Sequence, residues 1–181
     1  MSVPGGPGST ARRVESGGTG IEYEVTGEGR PVILLHGFPD SGRLWRHQVP
    51  ALADAGFQVI VPDLRGYGRS GKPADVEAYS LLLLAADVGA VLADLDVARA
   101  HVVGHDWGAA LAWGLASLMP GSVDHLVALS VGSPARRFSP LTPWSDSRSN
   151  PSVLPSCSAI APPQTLRPRP ARSGRRLLRM R

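Results

Sequence analysis

An apolar β-branched run, "RAHVVGH" (99–105), passes without a spacer into a helix of small residues, "WGAALAWGLASLMP" (107–120), through Gly104-His105-Asp106-Trp107-Gly108. Few backbones can make that turn. Glycines two residues before and two after the pivot relieve the crowding of a sharp strand-to-helix elbow, which lifts the pivot side chain above the end of the strand. The pivot here is an acid. A carboxylate attacking an sp3 carbon gives a stable alkyl ester, whereas attack on an ester or amide carbonyl gives an anhydride and gains little. Asp106 in this position points to epoxide opening or carbon–halogen cleavage. Aspartate is also a good helix N-cap, and that competing role needs no chemistry at all.

The remaining segments agree on the architecture around the elbow. "ARRVES" and "IEYEVTG" read as two short strands, the second with period-2 alternation, forming an antiparallel edge. "PVILLHG" (31–37) and "FQVIVPD" (57–63) are continuous apolar runs bounded by Gly or Pro, as expected of parallel strands buried on both faces. Between them "GRLWRHQVPALADAG" predicts a helix that Pro50 kinks or restarts. A longer helix is predicted over 79–96 and a last strand over 123–132, "VDHLVALSVG". Two strands followed by repeated strand–helix units give a doubly wound, mostly parallel α/β sheet with its site at the carboxyl ends of the strands.

Two loops fall at those ends. "HGFPD" (36–40) follows the run 31–37, where a backbone N–H can face the elbow, and the residue after the pivot supplies a second N–H. The candidates are Phe38 and Trp107. "PDLRGYGRSGKP" (62–73) contains Gly66-x-Gly68-x-x-Gly71, a literal match to the dinucleotide fingerprint. We reject that match, because Pro73 follows at once and no helix opens at Gly71. A tight glycine turn beside the site is the better account, and no cofactor or metal is expected.

In order and spacing these motifs resemble the epoxide hydrolase and haloalkane dehalogenase branch of the α/β-hydrolase fold, over about residues 12–136. "HGFPDSGRLWRHQVPAL" and "GHDWGAALAW" are most similar to soluble epoxide hydrolases. The resemblance implies Asp106 as nucleophile and the Phe38 and Trp107 amides as its oxyanion hole. It implies His36, Gly37, Pro39, Gly104 and Gly108 as the supporting motif, with Pro39 cis and His36 structural. Haloalkane dehalogenases typically carry Asn where Phe38 stands, and fluoroacetate dehalogenases Arg where Trp107 stands.

The resemblance also requires a helical cap with tyrosines that protonate the epoxide oxygen, then a distal acid and a distal histidine. Their counterparts are missing from these 181 residues: His36, His47, His101, His105 and His125 all precede the expected base, and Tyr23, Tyr67 and Tyr79 all precede the expected cap. His105 adjoins the nucleophile, but consecutive residues at such a turn diverge, which argues against it as the base. The chain therefore reads as the N-terminal portion of such a hydrolase, ending after about the sixth strand and capable at most of a single turnover.

From about residue 137 the composition changes. Residues 137–181 hold eight Pro, eight Ser and nine Arg against one acid, Asp146, so this segment carries +8 while residues 1–136 carry −4. The expected division is a disordered N-terminus (1–11), a partial hydrolase domain (12–136) and a disordered basic tail (137–181). A reading-frame shift near residue 137 is our account of the tail. A nucleic-acid-binding tail is the rival, disfavoured because its arginines lack interleaved aromatics. The lone Cys157 permits no internal disulfide, and no apolar stretch or leader suggests a membrane or secretion, so a cytoplasmic location is expected. The expected partner is a small epoxide or alkyl halide, with neither nucleic acid nor membrane, and the oligomeric state is left open. Three readings stand: an epoxide-hydrolase-like enzyme, a haloalkane dehalogenase relative, and a non-catalytic remnant.

Overall fold

The computed structural model describes residues 8–133. A hairpin opens it. β1 (Thr10–Ser16) and β2 (Thr19–Thr26) pair antiparallel with Ser16 opposite Thr19, so Gly17 and Gly18 alone make the turn. Both have positive φ, 53° and 74°, the backbone that a two-residue hairpin turn demands. β1 starts at Thr10, so the last residues of the expected disordered N-terminus are paired strand.

The parallel part follows as β3 (Arg30–Leu35), α1 (Gln48–Asp54), β4 (Phe57–Pro62), α2 (Leu81–Asp94), β5 (Ala100–His105), α3 (Trp107–Leu118) and β6 (Val123–Leu129). The six strands lie in the order β1-β2-β4-β3-β5-β6, antiparallel across β1/β2/β4 and parallel across β4/β3/β5/β6. After β3 the chain steps one way to β4, then crosses back over β3 to β5. The loops leaving β3 and β5 therefore diverge and leave a crevice at their carboxyl ends, the usual place for a site in such sheets.

Burial of successive residues on β3 and β4 follows from cover on both faces. Val32, Leu34, Val59 and Val61 pack with Trp45 on the α1 side, whereas Ile33, Leu35 and Ile60 pack with Val88, Val91, Leu111 and Leu115 of α2 and α3. Alternation of side chains across a strand sends neighbours to opposite cores, so the buried stretches 32–35 and 59–61 hold only apolar residues.

Among the boundaries that differ from expectation, three have a clear local reason. The segment after β3 forms a 3-10 turn, Gly42–Trp45, and restarts as α1, where Pro50 occupies the first turn and forfeits no helical hydrogen bond. The helix predicted from 79 starts at Leu81, because Ser80 is extended and accepts from the Leu83 N–H as its N-cap. β6 ends at Leu129 rather than 132, where Ser130 turns the chain with a φ of 72°. The basic segment 137–181 lies outside the described residues.

Candidate active site

Asp106 joins β5 to α3 with φ 55° and ψ −119°, a region that side-chain-bearing residues seldom occupy. Its backbone is held on both sides. The Asp106 N–H donates to the Leu129 carbonyl at 3.1 Å, and its own carbonyl accepts from the N–H groups of Ala109 and Ala110. The flanking glycines are required by contact rather than by dihedral angle. A Cβ on Gly104 would lie 2.2 Å from the Gly108 carbonyl oxygen, and one on Gly108 would lie 2.2 Å from the Leu35 oxygen. Strand β5, helix α3 and strand β3 thus touch backbone to backbone at the pivot.

The carboxylate does not cap its own helix, since no side-chain capping bond is made from Asp106. It turns instead toward the loop after β3, where the Phe38 N–H donates to Oδ1 at 3.0 Å. Gly37 makes that approach possible, because a Cβ there would sit 2.5 Å from the Asp106 Cβ. The Phe38 and Trp107 amides together hold the Asp106 carboxyl below the usual carboxylate range, with a smaller contribution from the charge of His105. The Phe38–Pro39 peptide is cis. The two rings themselves face outward, Phe38 and Trp107 being exposed.

His36 lies fully buried beneath this loop. Its Nδ1–H donates to the Gly37 carbonyl at 3.0 Å and its Nε2 accepts from the Leu64 N–H at 2.9 Å, which fixes a neutral ring. Burial pushes its pKa below the ordinary histidine value. The Tyr67 ring meets it edge-on at 5.3 Å. His36 therefore ties the loop after β3 to the glycine turn. That turn winds round Asp63, which accepts from the Gly42 and Arg69 N–H groups, both at 2.9 Å. Gly66 and Gly68 have positive φ, and no helix begins before the 3-10 turn at Val76. Nothing in this loop offers a helix N-terminus to a pyrophosphate.

An open cleft of about 660 Å³ lies beside the carboxylate, walled by Leu81 and Leu82 of α2 and by Trp107, Trp113 and Leu118 of α3. Among the described residues that line it, Asp106 is the one ionisable group. The three tyrosines are engaged elsewhere. Tyr23 is buried and donates to Asp94, its phenol pushed up to about 12 by burial and by that carboxylate. Tyr67 packs on His36, and Tyr79 donates to the Pro73 carbonyl. His105 makes no hydrogen bond with the Asp106 carboxylate among the described residues and does not line the cleft.

One buried group escaped the sequence. Arg65, inside the glycine turn, meets Asp87 of α2 through two bonds of 2.9 and 2.6 Å, with both side chains nearly fully buried. Its other donors reach the carbonyls of Ser16 and Ala78. An acid among Ala85, Val88, Val91 and Leu92 on one helix face was the available signal, since an acid there requires a cation.

A family model for the alpha/beta hydrolase fold matches residues 30–152, continuing past residue 136 where the composition changes. Epoxide hydrolase A of Mycobacterium tuberculosis is 45% identical over 135 residues, 74% of this chain and 42% of that protein. Epoxide hydrolase B of the same organism is 50% identical over 104 residues, 58% of this chain and 29% of the relative. The solved structure of an epoxide hydrolase from an endophytic Streptomyces superposes with a TM-score of 0.67 at 45% identity, over 70% of this chain and 38% of that one. The chain thus spans less than half the length of the relatives it matches. With its sheet order, its strained acid pivot and these likenesses taken together, the chain belongs to the alpha/beta hydrolase fold family, among its epoxide-hydrolase-like members.

Proposed function

We propose that the chain performs the first half of an epoxide hydrolase reaction with Asp106 as nucleophile and Phe38 and Trp107 as its oxyanion hole. One observation carries this reading: an ionised carboxylate on a strained elbow, held by backbone amides, faces an apolar cleft instead of capping its helix. The Phe38 amide holds Oδ1, and the other carboxylate oxygen makes the attack. It displaces the epoxide oxygen from carbon, and the ring oxygen leaves as an alkoxide that takes a proton from water, giving a 2-hydroxyalkyl ester of Asp106. In the second half, water attacks the ester carbonyl and negative charge develops on Oδ1, which already accepts from the Phe38 amide and to which the Trp107 amide is to add the second bond.

Each half lacks an assistant in these 181 residues. Among the described residues no phenol lines the cleft to protonate the leaving oxygen, a loss of roughly a hundredfold to ten-thousandfold, and no imidazole lines it to activate water. The ester therefore accumulates. Phenylalanine rather than asparagine at position 38, and the epoxide hydrolases among the relatives, favour an epoxide over an alkyl halide.

Incubation with a strained aryl epoxide, read by intact mass and peptide mapping, tests this. One adduct per chain is expected, on Asp106, and none in Asp106→Asn. No adduct, or an adduct that survives in Asp106→Asn, refutes the nucleophile, and steady diol release by pure protein refutes the arrested ester. Halide release from a haloalkane, with no epoxide adduct, would favour the dehalogenase reading.

A further inference from the structure

At the opposite end of β5 from Asp106, three potential ligands converge. His101 Nδ1 and His125 Nδ1 are 3.2 Å apart, and Asp124 Oδ2 lies 3.4 Å from the first and 3.5 Å from the second. We propose that His101, Asp124 and His125 bind a divalent transition-metal ion of the zinc type between the starts of β5 and β6.

The backbone explains how three such side chains meet. Consecutive residues of a regular strand point to opposite faces, so Asp124 and His125 ought to diverge. The pairing between β5 and β6 slips here: Ala100 stands opposite Val123, but Val102 stands opposite Leu126, so β6 spends one residue more than β5 over the same span. This bulge sets Asp124 and His125 together against the single residue His101, and both are exposed. Bulges commonly re-aim side chains in this way near functional sites.

The spacing suits a particular ion. Ligand atoms at about 2.0–2.1 Å in a tetrahedral shell stand about 3.3–3.4 Å from one another, which is the size of this triangle. Two imidazoles and one carboxylate suit zinc and its neighbours, whereas calcium and magnesium prefer shells of oxygen. Solvent reaches the open side and supplies the fourth ligand, since the His125 side chain is 76% exposed. The other oxygen of Asp124 faces the Arg99 guanidinium at 3.7 Å, and the Phe57 ring packs edge-on against His101, so carboxylate and imidazole are both oriented from behind. The five residue steps from His101 to Asp106 separate this site from the elbow by about 16 Å of strand. An ion there fastens β5 to β6 and takes no part in ester formation.

The test uses the full chain, stripped with chelator and titrated with zinc by calorimetry and with cobalt(II) by visible absorption. One ion per chain is expected, with the intense absorption of four-coordinate cobalt and a rise in melting temperature on zinc addition. His125→Ala and Asp124→Asn alter exposed side chains, so metal-free melting should stay near wild type while affinity falls at least about tenfold in each. Zinc binding equal in wild type and both variants, a weak octahedral cobalt spectrum, or no binding at all overturns the proposal.

Discussion

At residue 106 the sign of an ordinary substitution should reverse. Replacing Ala by Gly normally destabilises a chain by about 0.5–1 kcal/mol through backbone entropy. Here the backbone sits at φ 55°, where a Cβ is itself penalised by about 1–2 kcal/mol. Both Asp106→Ala and Asp106→Gly lose the bond to the Phe38 amide, so comparing them isolates the backbone term. Asp106→Gly should melt higher than Asp106→Ala, and the reverse order would show that the pivot is unstrained. His36 offers a second test. Its pKa is lowered by burial, so between that value and the unfolded value near 6.5 the unfolded chain binds more protons, and stability falls as pH falls below about 6.5. Melting temperature should drop from pH 7 to pH 5 in wild type, and less steeply in His36→Asn, although that variant starts lower. These positions were legible in the sequence because glycine spacing and an acid at a turn are local signals. The orientation of the Asp106 carboxylate was not, since N-cap and nucleophile share one residue type and differ only in which amide they meet.

At the scale of elements, the Arg65–Asp87 pair binds the glycine turn to α2 and to the end of β1. Removing one partner leaves a buried charge alone, so Asp87→Ala should cost about 3–5 kcal/mol. The double variant Arg65→Met with Asp87→Leu should recover most of that loss, falling short because the Ser16 and Ala78 carbonyls also lose their donor. Chemical denaturation of the three proteins decides, and a double variant no better than Asp87→Ala would place the energy in those carbonyl bonds. The strands were readable from β-branched runs, and α3 from its abrupt start after the elbow. This pair, 22 residues apart in sequence, and the bulge on β6 were not, because each depends on a pairing between elements that no local pattern encodes.

Across the whole molecule, cover is uneven. α2 and α3 shield one face of the sheet from end to end, while on the other face α1 and the Trp45 turn pack over β3 and β4. Among the described residues β6 pairs only with β5, and Val127 and Leu129 of β6 are 48% and 42% exposed. The strand itself was readable in the sequence as an apolar run, although only the sheet order places it beside β5. Phe38, Leu82 and Trp107 add exposed apolar surface near the cleft. A strand with a free edge and apolar side chains on an open face invites pairing with another chain, and natural edges are usually blunted by charge. The 181-residue chain should therefore associate as its concentration rises. Val127→Lys places a charge on the open face without disturbing Leu126, which packs toward α2 and α3, so it should shift light scattering toward monomer and leave the melting temperature within a few degrees of wild type. Association unchanged by that substitution would move the contact from β6 to the apolar rim of the cleft, and Trp107→Gln, which keeps the backbone amide beside Asp106, would then be the variant that disperses it.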